Sequence, residues 1–121
     1  MFALNFYSSV FAEQLRDGRK TATIRLGDKR DKYESGQIVW LTVGRRFGTR
    51  KKITAAIIDS VEVKALKDVT PREIQRDNPE LRRHDELIEF LTNIYGRERQ
   101  VTPDDTVTVI HFSRIEESET K

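Results

Sequence analysis

The sequence predicts an α+β fold, a small β-barrel with helices packed on its outside. Three observations point there. The apolar residues change period along the chain: a helical segment comes first, several alternating segments follow, two helical segments come next, and one alternating segment closes it. No strand–helix–strand unit repeats, which argues against a doubly wound parallel sheet. The strands are short and few, which suits a small barrel. At 121 residues the chain is the size of one ordinary domain and long enough to bury a core. No linker divides it, so one domain is expected over 1–121, with its core in about 4–115 and a polar tail at 116–121.

The first helix is expected from Ser9 to Asp17, capped by Ser8 or Ser9 and carrying Val10, Phe11 and Leu15 on one side. Gly18 follows, the usual residue for a left-handed helix end. Thr21, Thr23 and Arg25 then alternate with Ala22, Ile24 and Leu26, which is a strand with one polar and one apolar face. Residues 27–36 are too charged to be buried, and Tyr33 is their only aromatic residue. Gln37 to Val43 reads as an apolar strand with Trp40 inside it, expected in the core. Gly44 to Lys52 reads as a basic hairpin loop, and Ile53 to Val63 as a strand bent or bulged near Asp59 and Ser60. Thr70-Pro71-Arg72-Glu73 is a helix start: threonine caps, proline suits the first position, and Glu73 completes a capping box. Pro79 limits this helix to about two turns. The next helix runs from about Asp85 to Tyr95 on a stripe of Leu87, Phe90, Leu91 and Ile94, and Gly96 ends it. Thr106 to Ile115 is the last strand.

Composition excludes several functions. With no cysteine there is no disulfide, thiolate metal site or cysteine nucleophile. His84 and His111 are far apart and show no metal-ligand spacing. No cofactor is expected. No apolar run is long enough to span a bilayer, and the N-terminus lacks the pattern of a signal peptide, so no membrane association and a cytoplasmic location are expected. The oligomeric state is open, with a monomer as the default. Residues 1–60 hold 12 Lys/Arg and 6 Asp/Glu, whereas residues 61–121 hold 10 and 14. A basic half suggests a phosphate-bearing partner, although such imbalances also arise by chance.

The densest constellation is Gly18 to Arg25. Arg19, Lys20 and Arg25 supply cations, and Thr21 and Thr23 supply hydroxyls. On one face of the strand, Thr23 and Arg25 suit a phosphate or a base carbonyl. Neighbouring arginines should push the Lys20 amine pKa down, one route to a reactive amine. The plainer alternative is an edge strand with solvated charges. Arg45, Arg46, Arg50 and Lys51 in the basic loop can track a nucleic-acid backbone, with Phe47 stacking on a base, or can be a solvated hairpin tip. Tyr33 is a further stacking candidate. Of the later acids, Asp77, Glu80, Asp85 and Glu86, any one brought near Lys20 can orient it or act as base.

Gly18-Arg19-Lys20-Thr21-Ala22-Thr23-Ile24-Arg25 resembles the G-x-K-x-x-T-x-R signature of the ASCH domain family, a branch of the PUA-like superfamily. The preceding helix with Phe11, the Tyr33…Gly36 turn, the helix ending Ile94-Tyr95-Gly96 and the closing strand Val107 to Phe112 follow in the expected order. The resemblance implies a PUA-like barrel with flanking helices and a cleft beside the signature strand. It also implies RNA or a modified nucleoside as partner. Some members are amidohydrolases that deacetylate acetylated cytidine with the signature lysine and threonine and a later carboxylate; others are ribonucleases or binders. Lys20 and Thr23 match that lysine and threonine. Asp77 stands nearest the carboxylate, one methylene shorter than the glutamate those members use, with Glu73 and Glu80 as alternatives. The catalytic set so implied is Lys20, Thr23 and Asp77, with Lys20 as nucleophile or base, and Lys20→Ala is expected to leave the fold intact.

Overall fold

The structure, a computed structural model, describes residues 2–7, 11–45, 48–95 and 100–115. Its elements are β1 (Ala3–Phe6), α1 (Phe11–Asp17), β2 (Ala22–Leu26), β3 (Ile38–Gly44), β4 (Arg50–Ala65), a 3-10 turn (Leu66–Asp68), α2 (Pro71–Asp77), α3 (His84–Tyr95) and β5 (Thr106–Arg114). The five strands form one mixed sheet in the order β1-β3-β4-β5-β2. β1 runs parallel to β3, and the other pairs are antiparallel. The sheet curls into a half-barrel with three helices packed against it, an α+β architecture. The expected caps Ser8 and Ser9, together with Arg46, Phe47, Gly96 and the tail 116–121, lie outside the described residues. Among the described residues, no helix is long and apolar enough to cross a membrane.

β1 and β2 are the two edges of the sheet. Arg25 of β2 bridges them, donating from Nη2 to the Asn5 carbonyl of β1 at 2.8 Å. β5 is an interior strand between β4 and β2, and Val107 to Ile110 are all buried because both of its faces are covered. Inside the curl lie Leu4, Phe6, Leu41, Ile58, Ile110 and Phe112, closed by Phe11 and Leu15 of α1. On the other side, Ile24, Val107 and Val109 meet Ile74 of α2 and Leu87 and Leu91 of α3. Phe90 packs against both clusters.

Local chemistry explains most boundaries. Gly18 ends α1 at φ 81°, a left-handed conformation that costs other residues about 1–2 kcal/mol. Thr70 caps α2 and the full capping box forms: Oγ1 accepts from the Glu73 N–H at 3.2 Å, and the Glu73 carboxylate accepts from the Thr70 N–H at 2.9 Å. The bulge expected near Asp59 and Ser60 is present, since the β4–β5 register shifts between Ile58 and Ser60.

The structure adds one strand and corrects three expectations. β1 was not read from the sequence, because four residues are too few to establish a period. The basic loop is shorter than expected: Arg50, Lys51 and Lys52 already belong to β4 and pair with Gly44, Val43 and Thr42. Trp40 lies outside both core clusters, half-buried, with the Lys52 ammonium 4.5 Å from its ring centre. Tyr33 is 3% exposed, with its hydroxyl donating to the Ala3 carbonyl at 3.2 Å; it is a core residue and not an exposed stacking surface.

Candidate functional site: a buried Lys20–Asp77 pair beside an aromatic cavity

Backbone hydrogen bonds fix the start of the signature strand. The Lys20 N–H donates to the Gln14 carbonyl at the end of α1, and the Thr21 N–H donates to the Arg76 carbonyl at the end of α2. Lys20 therefore sits where two helices and β2 converge, and its side chain turns inward. It is 2% exposed. Its amine donates to the Ala22 carbonyl at 3.1 Å, to Asp77 Oδ1 at 3.0 Å, and to the Asp77 main-chain carbonyl. Three acceptors match the three N–H groups of an ammonium. The Phe11 and Phe6 ring centres lie 4.7 and 5.1 Å from Nζ, which adds cation–π attraction.

The physical source of the lysine's altered basicity differs from the sequence expectation. Burial is the main cause holding its pKa below the ordinary lysine value, and the Asp77 carboxylate opposes that shift. Repulsion from Arg25 contributes least. Filled hydrogen bonds also argue against Lys20 as a free nucleophile in this state, because no lone pair is exposed for attack.

Asp77 is the acid that meets Lys20. Its Oδ1 also accepts from the Ile24 N–H at 3.1 Å, so this carboxyl oxygen is doubly held. Oδ2 is buried and has no hydrogen-bond partner among the described residues. The two alternative acids are occupied or remote. Glu73 binds Lys64 at 2.9 Å and faces His111 Nε2 at 3.5 Å. Glu80 is exposed, and its backbone N–H donates to Asn78 Oδ1 at 3.0 Å.

Burial alone would raise the Glu73 pKa, but the Thr70 N–H, Lys64 and His111 together hold it below the ordinary glutamate value. A carboxylate so lowered adds stability above its unfolded value of 4.5, and that stability is lost as pH falls through the lower folded value. The drop in urea midpoint between about pH 6 and about pH 3 should therefore be smaller in Glu73→Gln than in the wild type. An equal drop in both proteins would contradict this assignment.

A cavity of about 40 Å³ lies beside the pair, lined among others by Lys20, Thr23, Arg25, Asp77, Phe6 and Phe11. Asn5, Tyr7, Ile24 and Phe90 complete its wall, and Tyr7 is 43% exposed. The Thr23 hydroxyl accepts from Arg25 Nε at 3.3 Å, leaving its own hydrogen to donate. The cavity thus offers a hydroxyl donor at Thr23 and an acceptor at Asp77 Oδ2. Among the described residues, no cluster of His, Asp and Glu is grouped to hold a metal ion.

The structure brings Lys20, Thr23, Arg25 and Asp77 together on this cavity, and among the described residues no other that the sequence nominated. Arg19 is exposed and pairs with Asp17 at 2.8 Å. Thr21 lines a different cleft. Arg45, Arg50 and Lys51 are exposed at the β3–β4 hairpin. Asn5, Phe6 and Tyr7 were missed as site residues because β1 was missed. Phe11 and Phe90 were visible only as helix-stripe residues.

Similarity to solved structures agrees with the fold. The chain superposes on an ASCH domain from Lactobacillus crispatus JV V101 with a TM-score of 0.69 and 18% identity, covering 93% of this chain and 79% of that one. A protein from Enterococcus faecalis V583 gives 0.69 and 15%, covering 100% and 85%. The hypothetical protein PH0355 gives 0.65 and 17%, covering 94% and 98%. No family model matches the chain, and no curated protein matches it in sequence. The fold is of the ASCH type.

Proposed function

We propose that this chain binds RNA or a modified nucleoside, presenting the polar edge of a base to the Lys20–Thr23–Asp77 cavity. The observation that carries the reading is Asp77 Oδ2, a buried carboxylate oxygen without a partner among the described residues. Burying an unpaired acceptor costs free energy, and a ligand N–H removes that cost. With the Thr23 donor alongside, the cavity complements a carbonyl and an N–H set side by side, as in an amide or a pyrimidine edge. Its volume of about 40 Å³ suits an edge or a small substituent rather than a whole ring. The ring itself then rests at the exposed Tyr7. Calorimetric titration with acetylated cytidine, cytidine and a short single-stranded RNA should show saturable binding of at least one of them. No saturation by any at millimolar concentration would end the reading.

A second reading is an amidohydrolase acting on acetylated cytidine. It is favoured by the presence of a hydroxyl donor and a carboxylate acceptor on one cavity. In that reaction Asp77 takes the proton from an attacking water, the Thr23 hydroxyl stabilises the oxyanion, and the proton passes to the leaving amino group. Lys20 holds the carboxylate in place as an ammonium. Acetate release from acetylated cytidine, lost in Asp77→Asn, tests it.

A further inference from the structure

We propose that an arginine-walled groove between α2 and the end of β5, separate from the small cavity, holds the sugar–phosphate backbone of single-stranded RNA. Two open clefts meet there, of about 560 and 320 Å³, and Arg76 lines both. One bank is the outer face of α2 and its continuation, where Arg72, Gln75, Arg76 and Pro79 recur at helical spacing. The other bank is the end of β5, with His111, Ser113 and Arg114. Arg19, ion-paired with Asp17, stands at the edge of the smaller cleft. Asp59 is the only acidic residue lining either cleft among the described residues, and its carboxylate accepts from Ser113 Oγ at 2.6 Å.

Stability does not explain these arginines. Arg72 and Arg76 are exposed, and no ion pair joins either to a carboxylate among the described residues. Arg72 follows Pro71 in the first turn of α2, where the helix dipole disfavours a cation. Solvated guanidiniums facing an open groove suit repeated phosphates, which each accept a forked donor pair. The choice of single-stranded RNA rests on the reading of the cavity given above. Lys20 lines both the larger cleft and the cavity, so the two adjoin at this buried residue, and a single strand along the groove has unpaired bases to offer the cavity at Tyr7. A duplex keeps its base edges paired and cannot do so.

The test uses fluorescence anisotropy with a labelled single-stranded RNA of about ten nucleotides, a length within the usual site sizes. Arg72→Glu/Arg76→Glu should weaken binding at least about tenfold and reduce the salt slope by about 1.4, since each single-strand phosphate contact contributes about 0.7. Both side chains are exposed, and an unchanged far-ultraviolet circular dichroism spectrum checks that the variant folds. Affinity for free acetylated cytidine should not change. Wild-type RNA affinity in the double variant would overturn the proposal. So would equal or tighter binding of a duplex or of a heparin fragment by the wild type. If the free nucleoside fails to bind the wild type while RNA binding still depends on Arg72 and Arg76, the cavity reading falls and the groove stands.

Discussion

Replacing Lys20 with methionine is expected to destabilise the protein by about 3–5 kcal/mol, because it strands a carboxylate in the interior. Asp77 is 3% exposed, and Lys20 is the only charged side chain bonded to it among the described residues. Removing the ammonium also leaves the Ala22 carbonyl and the Asp77 main-chain carbonyl without this donor. A domain of ordinary stability has about 5–15 kcal/mol in all, so the loss is a large share of it. Lys20→Ala should cost as much, plus a cavity, which reverses the expectation from sequence that this substitution spares the fold. Urea denaturation measures the effect. The double substitution Lys20→Met/Asp77→Leu should recover much of the loss, since an apolar pair leaves no charge uncompensated. A single Lys20→Met variant within about 1 kcal/mol of wild type would mean that the pair does not carry the stability assigned to it.

Asp77→Asn is expected to weaken nucleoside binding by about 10- to 100-fold, the range for losing a hydrogen bond to a charged acceptor, about 1.5–3 kcal/mol. Its geometry makes it selective. Oδ1 accepts from both Lys20 and the Ile24 N–H, so the carbonyl of an asparagine must stay on that side. The amide nitrogen then replaces Oδ2, and a donor stands where the ligand needs an acceptor. A weakened fold alone would lower the affinity for all ligands alike. The distinguishing readout is therefore discrimination: wild type should prefer acetylated cytidine over its analogue methylated at the amide nitrogen, and Asp77→Asn should not. Equal discrimination by both proteins would contradict the role given to Oδ2.

The fold was legible where local chemistry is strong. The α2 capping box, the glycine end of α1 and the β4 bulge follow from residues close together in the sequence. β1 was not legible, because its place depends on pairing with β3, 37 residues away in register. That omission hid Asn5, Phe6 and Tyr7, which wall the cavity. The spacing of Thr23 and Arg25 put both on one strand face, and they do touch, at 3.3 Å. The inward turn of Lys20 was not legible, since a charged residue after a helix end is normally solvated. Resemblance to a signature raised it and put Asp77 nearest the carboxylate, with Glu73 and Glu80 as alternatives, and the α2–β2 contact singles out Asp77. Counting charge by halves of the chain does not show which cations stand together in space. Arg72, Arg76 and Arg114 come from the half with more acids, yet they share a groove with Arg19, because the fold sorts charges by face and not by chain position.

The most direct measurement is the Ile24 amide resonance during titration with acetylated cytidine, in wild type and in Asp77→Asn. This N–H donates to Asp77 Oδ1, so it reports any ligand that engages the same carboxylate. A saturable shift at Ile24 in the wild type, strongly reduced in Asp77→Asn, is the predicted result. An Ile24 resonance unmoved by a ligand that demonstrably binds would place that ligand elsewhere and contradict the cavity as the site.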